Sequence, residues 1–97
     1  MDFIREDDTI KGVIKALDGV QEVGRLTYLW SGSNRILIDH TEIFGAYQGK
    51  GLGKELVESA VSFARENDIK IIPLCSFARK VIEGDPKNRE VLYQQES

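Results

Sequence analysis

A change of period near the middle of the chain sets what it can fold into. Before Gly45 apolar and polar residues alternate; after Gly53 the apolar residues recur every three to four positions. The first pattern belongs to half-buried strands, the second to an amphipathic helix. Gly49, Gly51 and Gly53 cluster at the junction.

The alternating half divides into strands at its turn residues. From Thr9 to Leu17, the residues Ile10, Gly12, Ile14 and Ala16 share one face, opposed by Lys11, Val13, Lys15 and Leu17. Asp18-Gly19 then signals a tight hairpin. Val20 to Trp30 puts Gly24, Leu26, Tyr28 and Trp30 on one face, and Ser31-Gly32-Ser33-Asn34 is a second turn. Arg35 to Phe44 reads as a third strand, with Ile36 and Ile38 in phase with His40 and Glu42. A short strand near Phe3-Ile4 completes an antiparallel meander.

In the second half Leu52, Leu56, Val57, Ala60, Phe63 and Ala64 form one helical stripe, which Asn67-Asp68 ends. Ile69 to Ile72 is short and β-branched, as a buried parallel strand would be, and Pro73 closes it. Phe77, Ala78, Val81 and Ile82 suggest a short helix ended by Gly84, and Asp85-Pro86 a last turn through Val91-Leu92. The expectation is one α+β domain over residues 1–97.

At 97 residues a single core is near its lower size limit, leaving no room for a separate substrate domain. The net charge of -3, with scattered Lys and Arg, argues against a nucleic-acid partner. The acidic opening residues do not read as a signal peptide, and no apolar run approaches the roughly 18 residues of a membrane span. With one cysteine, Cys75, the expected setting is reducing and cytoplasmic, with no membrane partner.

Strand, glycine turn, then helix is a ready anion site. A helix N-terminus carries unpaired amides and the positive end of the macrodipole, and glycines clear the approach. Two familiar phosphate motifs fail here. Gly53-Lys54 is followed by Glu55 where a P-loop needs a hydroxyl, and a dinucleotide fingerprint begun at Gly49-x-Gly51 would need its third glycine at Lys54. The antiparallel strands upstream also disfavour a βαβ unit.

The pattern that fits is Gln/Arg-x-x-Gly-x-Gly/Ala, here Gln48, Gly51 and Gly53. It resembles the coenzyme A pyrophosphate loop of the GNAT acetyltransferase superfamily, which lies between the fourth strand and the next helix. The resemblance extends over nearly the whole chain. Ile38-Asp39-His40-Thr41-Glu42-Ile43, the Gln48–Gly53 loop and Lys70-Ile71-Ile72-Pro73-Leu74-Cys75 together resemble a small GNAT-like branch described as YjdJ-type predicted N-acetyltransferases. That likeness implies a minimal GNAT-like fold with acetyl-coenzyme A as co-substrate, no metal and an unidentified amine acceptor. Gln48, Gly49, Lys50, Gly51, Leu52 and Gly53 would form the cofactor loop. The branch lacks the N-terminal helix pair that walls the acceptor site of larger members, as does this chain, and the acceptor side is expected to be open. Phe44-Gly45-Ala46-Tyr47 is less polar than the connection in many relatives.

Transfer to an amine needs a proton acceptor, a polarised thioester and a proton donor for the leaving thiolate. His40 and Glu42 are the candidate bases, two residues apart on the fourth strand; each also suits a purely structural or solvated role. Cys75 is an alternative centre. Placed before a short helix it suits a covalent acetyl-cysteine route with His40 as partner, or equally a small buried hydrophobe. Tyr28, Trp30 and Tyr47 read as core or rim aromatics, and Arg79 and Lys80 as a solvated helix face, with a place near the cofactor's phosphates as the alternative. Two other readings suit the same residues: a module that binds coenzyme A or acyl-coenzyme A with little or no turnover, and an interaction domain whose glycines only turn the chain.

Overall fold

The alternating half forms the expected meander. In a computed structural model, which describes residues 1–94, strands β1 (Asp2–Asp7), β2 (Lys11–Asp18), β3 (Gln21–Trp30) and β4 (Arg35–Ile43) pair antiparallel in chain order. Helix α1 (Leu52–Glu66) crosses over to β5 (Lys70–Pro73), which adds to β4 in parallel. Helix α2 (Ser76–Glu83) and a 3-10 turn at Asn88–Val91 follow. The first strand runs further than Phe3-Ile4, since it pairs with β2 from Asp2↔Leu17 to Asp7↔Gly12. Asp18 pairs with Gln21, so Gly19 (φ 64°) and Val20 form the two-residue hairpin turn.

Two irregularities break the simple alternation. Ala16 pairs with Gly24 but Leu17 with Glu22, so Val23 is an extra residue on β3, and both Val23 and Gly24 are buried. Thr27 pairs with His40 but Tyr28 with Ile38, so Asp39 is an extra residue on β4. A bulge shifts the side-chain phase of everything beyond it. Ile36 and Ile38 point into the core, but past Asp39 the inward positions are Thr41 and Ile43, opposite core residues Leu26 and Gly24. The expected phase of His40 and Glu42 with Ile36 and Ile38 is therefore wrong.

The core lies between the sheet and one helical layer. Leu56, Val57, Ala60, Val61 and Ala64 of α1 and Ala78 and Ile82 of α2 cluster with Ile14, Leu26, Tyr28, Ile36, Ile38 and Ile71. Burying a Leu or Val side chain stabilises by about 1.5–3 kcal/mol, more than any cap on these helices supplies. Ile10, expected on this face, is instead 72% exposed. It sits in the β1–β2 turn, where the Asp8 carboxylate accepts from the amides of Ile10 and Lys11 and Thr9 takes a positive φ of 73°.

Tyr28 locks the far end of the sheet. Its hydroxyl donates to Asp7 at 2.6 Å, and Trp30 Nε1 donates to the same carboxylate at 2.8 Å. A Cβ on Gly12 would lie 2.2 Å from Tyr28 Cζ, so glycine is required there. The opposite sheet face, carrying Val13, Thr27, Leu29, His40 and Glu42, has no helix packed on it among the described residues.

Candidate functional site

The loop before α1 is built to leave backbone amides free. Gly49 and Gly51 have φ of 77° and 82°, a region that costs other residues about 1–2 kcal/mol. Gly51 is the α1 N-cap and supplies no side-chain cap; the first helical bond runs from the Glu55 amide to the Gly51 carbonyl at 3.2 Å. Among the described residues, the amides of Leu52, Gly53 and Lys54 therefore meet no protein acceptor. A Ser or Asp cap would have added about 1 kcal/mol, and the chain forgoes it. The open amides and the helix dipole fit a phosphate or pyrophosphate group.

The six loop residues have different places. Gln48 braces the turn, donating from Nε2 to the Ile43 carbonyl at 3.1 Å. Lys50 lies 5.7 Å from the Tyr47 ring centroid, and Tyr47 donates to Asp18 at 2.6 Å, which raises the tyrosine's pKa above its usual value. Leu52 is buried, so only its backbone faces the loop. Gly53 gives room for Phe77: a Cβ there would sit 3.0 Å from that ring.

A second feature opens beside this loop. Strands β4 and β5 pair only from Arg35↔Lys70 to Ile38↔Pro73. The Leu74 and Cys75 amides both donate to the Ile38 carbonyl, at 2.9 and 3.1 Å, and there the strands part. From Asp39 to Ile43 the β5-side edge of β4 has no strand partner among the described residues. An unpaired edge of this kind accepts an extended chain bearing amide groups.

Cys75 lies at the fork of this split, half-buried as the N-cap of α2, with Sγ 3.9 Å from Thr41 Oγ1. His40 and Glu42 lie on the bare side of β4, where their side chains are 60% and 51% exposed and 3.8 Å apart. Thr41, between them, faces the helices. The strand therefore separates Cys75 from His40, and the expected pairing of the two is not formed. Arg79 donates to the Pro73 carbonyl at 3.1 Å, bracing the end of β5 rather than lying free on a solvated face.

Sequence reasoning missed Thr41 and Asp39, because only the bulge reveals their directions. It also missed Phe77 as a wall. That residue read as part of an apolar helix stripe, yet it is 43% exposed and rests on Gly53. The glycine loop, Ile43 and the first turn of α2 thus meet at one mouth.

An open glycine loop between the fourth strand and the next helix is the arrangement the resemblance implied; the parting of β4 from β5 is added by the structure. The sequence model of the GCN5-related N-acetyl-transferase family matches residues 13–91. The chain belongs to this family. Protein NATD1 of Gallus gallus is 31% identical over 70 residues, covering 72% of this chain and 64% of the relative. The chain thus spans a little under two thirds of the length of that curated relative. A GCN5-like candidate N-acetyltransferase from Staphylococcus aureus, solved by NMR, is 33% identical with a TM-score of 0.67, covering 96% of this chain and 90% of its own. A candidate streptothricin acetyltransferase from Bacillus anthracis, in complex with acetyl coenzyme A, shares the fold with a TM-score of 0.59 at 22% identity, covering 74% of this chain and 47% of its own. The α+β architecture is that of these neighbours. Among the described residues no helix is long and apolar enough to cross a membrane.

Proposed function

We propose that residues 1–97 act as one catalytic unit that transfers the acetyl group of acetyl-coenzyme A to an amine, in a reducing, cytoplasmic setting. The observation that carries this reading is the parting of β4 from β5 at Ile38 beside the uncapped start of α1. Gly49 to Lys54 offer amides to the pyrophosphate, and the bare edge of β4 offers hydrogen-bonding groups to the pantetheine arm. When bound, the thioester supplies an activated acetyl carbon.

The chain's own residues then divide by side. On the bare face Glu42 or His40 takes the proton from the attacking amine, directly or through water. On the helix side Cys75 returns a proton to the departing sulfur. Direct transfer is favoured over an acetyl-cysteine because a nucleophilic thiol needs a base, and the group Cys75 meets is the neutral Thr41 hydroxyl. A binding module with little turnover remains the second reading, supported by the high exposure of His40 and Glu42.

Calorimetric titration with acetyl-coenzyme A tests the first step. We expect binding by the parent chain and none by Gly51→Glu, which places a carboxylate at the anion site; circular dichroism checks that the variant is folded. No binding by the parent overturns the proposal. In steady-state assays, replacing the true base among Glu42→Gln and His40→Gln costs about 100-fold or more in kcat. Rates unchanged in these two and in Cys75→Ser would refute the assigned chemistry. An acetyl mass increment on Cys75 in the absence of amine would replace direct transfer with the covalent route.

A further inference from the structure

We infer that the acceptor is an aliphatic polyamine cation, bound along a groove on the bare sheet face. This rests on the proposed transfer reaction and adds the substrate class. The groove has a volume of about 590 Å³ and reaches from the β1–β2 turn to the Asp39 bulge. Its axis follows one cross-strand row, because Glu6 pairs with Val13, Val13 with Thr27, and Thr27 with His40. Four strands at their usual spacing make that row about 14 Å long. Val13 and Leu29 form an apolar floor suited to methylene groups.

The charges fall at the two ends. Asp39 stands beside His40 because the bulge adds it there; it is exposed and accepts one hydrogen bond, from the Thr27 hydroxyl at 2.8 Å. Glu6 and Asp8 lie at the far end. Lys11 and Arg25 also line the groove, but Arg25 is held by Glu22 through contacts of 2.7 and 3.0 Å. Glu6 meets Lys15 at 2.8 Å, with its own side chain 58% exposed, so a second cation can share the carboxylate. The arrangement suits a chain with an ammonium at its distal end and its reacting nitrogen beside His40 and Glu42. In the reaction a C–N bond forms at that nitrogen and the thioester C–S bond breaks. The amine proton passes to Glu42 or His40, and coenzyme A leaves as its thiol.

Amide NMR titration of the folded chain with spermidine, beside n-octylamine as a chain of similar length without distal charge, tests binding without turnover. We expect shifts at Val13, Thr27, Leu29 and Asp39 with spermidine, and an affinity about tenfold weaker for octylamine, the loss of one to two surface ion pairs. Glu6→Gln combined with Asp8→Asn, both at the distal end of the groove, should remove the spermidine preference while leaving acetyl-coenzyme A affinity unchanged. Equal affinities, shifts confined to another face, or a preference that survives in the double variant would each overturn the groove. Groove binding without monoacetylated spermidine in the presence of bound acetyl-coenzyme A would overturn the acceptor assignment, as would acetylation of peptide lysine alone. Failure of acetyl-coenzyme A to bind is a separate result, which sinks the transfer reading and leaves the amine titration interpretable.

Discussion

At the scale of single residues, Asp7 shows how one carboxylate can fasten a strand. Burial alone would raise its pKa, but hydrogen bonds from the Tyr28 hydroxyl, the Thr9 amide and Trp30 Nε1 outweigh that and hold it below the usual value of 3.8. Tyr28 responds in the opposite sense: burial, then its bond to Asp7, push it up to about 12. A carboxyl whose pKa is depressed on folding contributes stability above its unfolded value and loses it as pH falls through the folded one. Asp7→Asn can still accept from Tyr28 and Trp30 but carries no charge, so it should cost about 1–2 kcal/mol near neutrality. That difference should shrink as pH falls below about 4, where the parent protonates Asp7 as well. Urea midpoints of both proteins across this range check it; parallel curves would show that Asp7 is not the group responsible. Tyr28 works at the other limit, its contribution present below pH 10 and lost as pH rises toward about 12.

At the scale of elements, the contact between α1 and α2 at Gly53 sets the mouth of the site. Ala at this position would gain up to about 1 kcal/mol of helix propensity while pressing on the Phe77 ring, 3.0 Å from the added Cβ. The half-exposed ring can yield, so Gly53→Ala alone should stay within about 1 kcal/mol of the parent. In a Phe77→Ala background the opposition is gone, and Gly53→Ala should then stabilise by about 0.5–1 kcal/mol. Chemical unfolding of the four proteins measures the coupling; a coupling of zero would mean that the ring does not press on Gly53. The same elements show what a sequence makes legible. The strands, the helix stripe and the glycine turn follow from local period and turn chemistry. The direction of His40 does not, because one extra residue at Asp39 reverses the phase, and nothing in Ile38-Asp39-His40 marks a bulge. The separation of Cys75 from His40 likewise depends on where β5 leaves β4, a pairing between residues far apart in the chain.

At the scale of the whole molecule, both helices cover one face of a five-stranded sheet, and the sheet opens where β4 and β5 run in parallel. An antiparallel sheet tolerates a bare face, because its outward residues can be polar. A split edge is different, since it leaves backbone groups of β4 without strand partners. A ligand seated there and on the α1 amides touches β4, α1 and α2 together, and so binds the folded state and not the unfolded one. Ligand at 100 times its Kd then adds about 2.7 kcal/mol of stability. For a chain of this size each kcal/mol raises Tm by about 4–8 °C, so saturating acetyl-coenzyme A should raise Tm by about 10–20 °C. Gly51→Glu should melt lower than the parent without ligand, because Glu enters a left-handed position, and should show no rise with it. A parent Tm that does not move with ligand would mean that the split and the uncapped helix start do not form one binding site. A rise that persists in Gly51→Glu would place the stabilising contacts along the β4 edge and remove the glycine loop from the site.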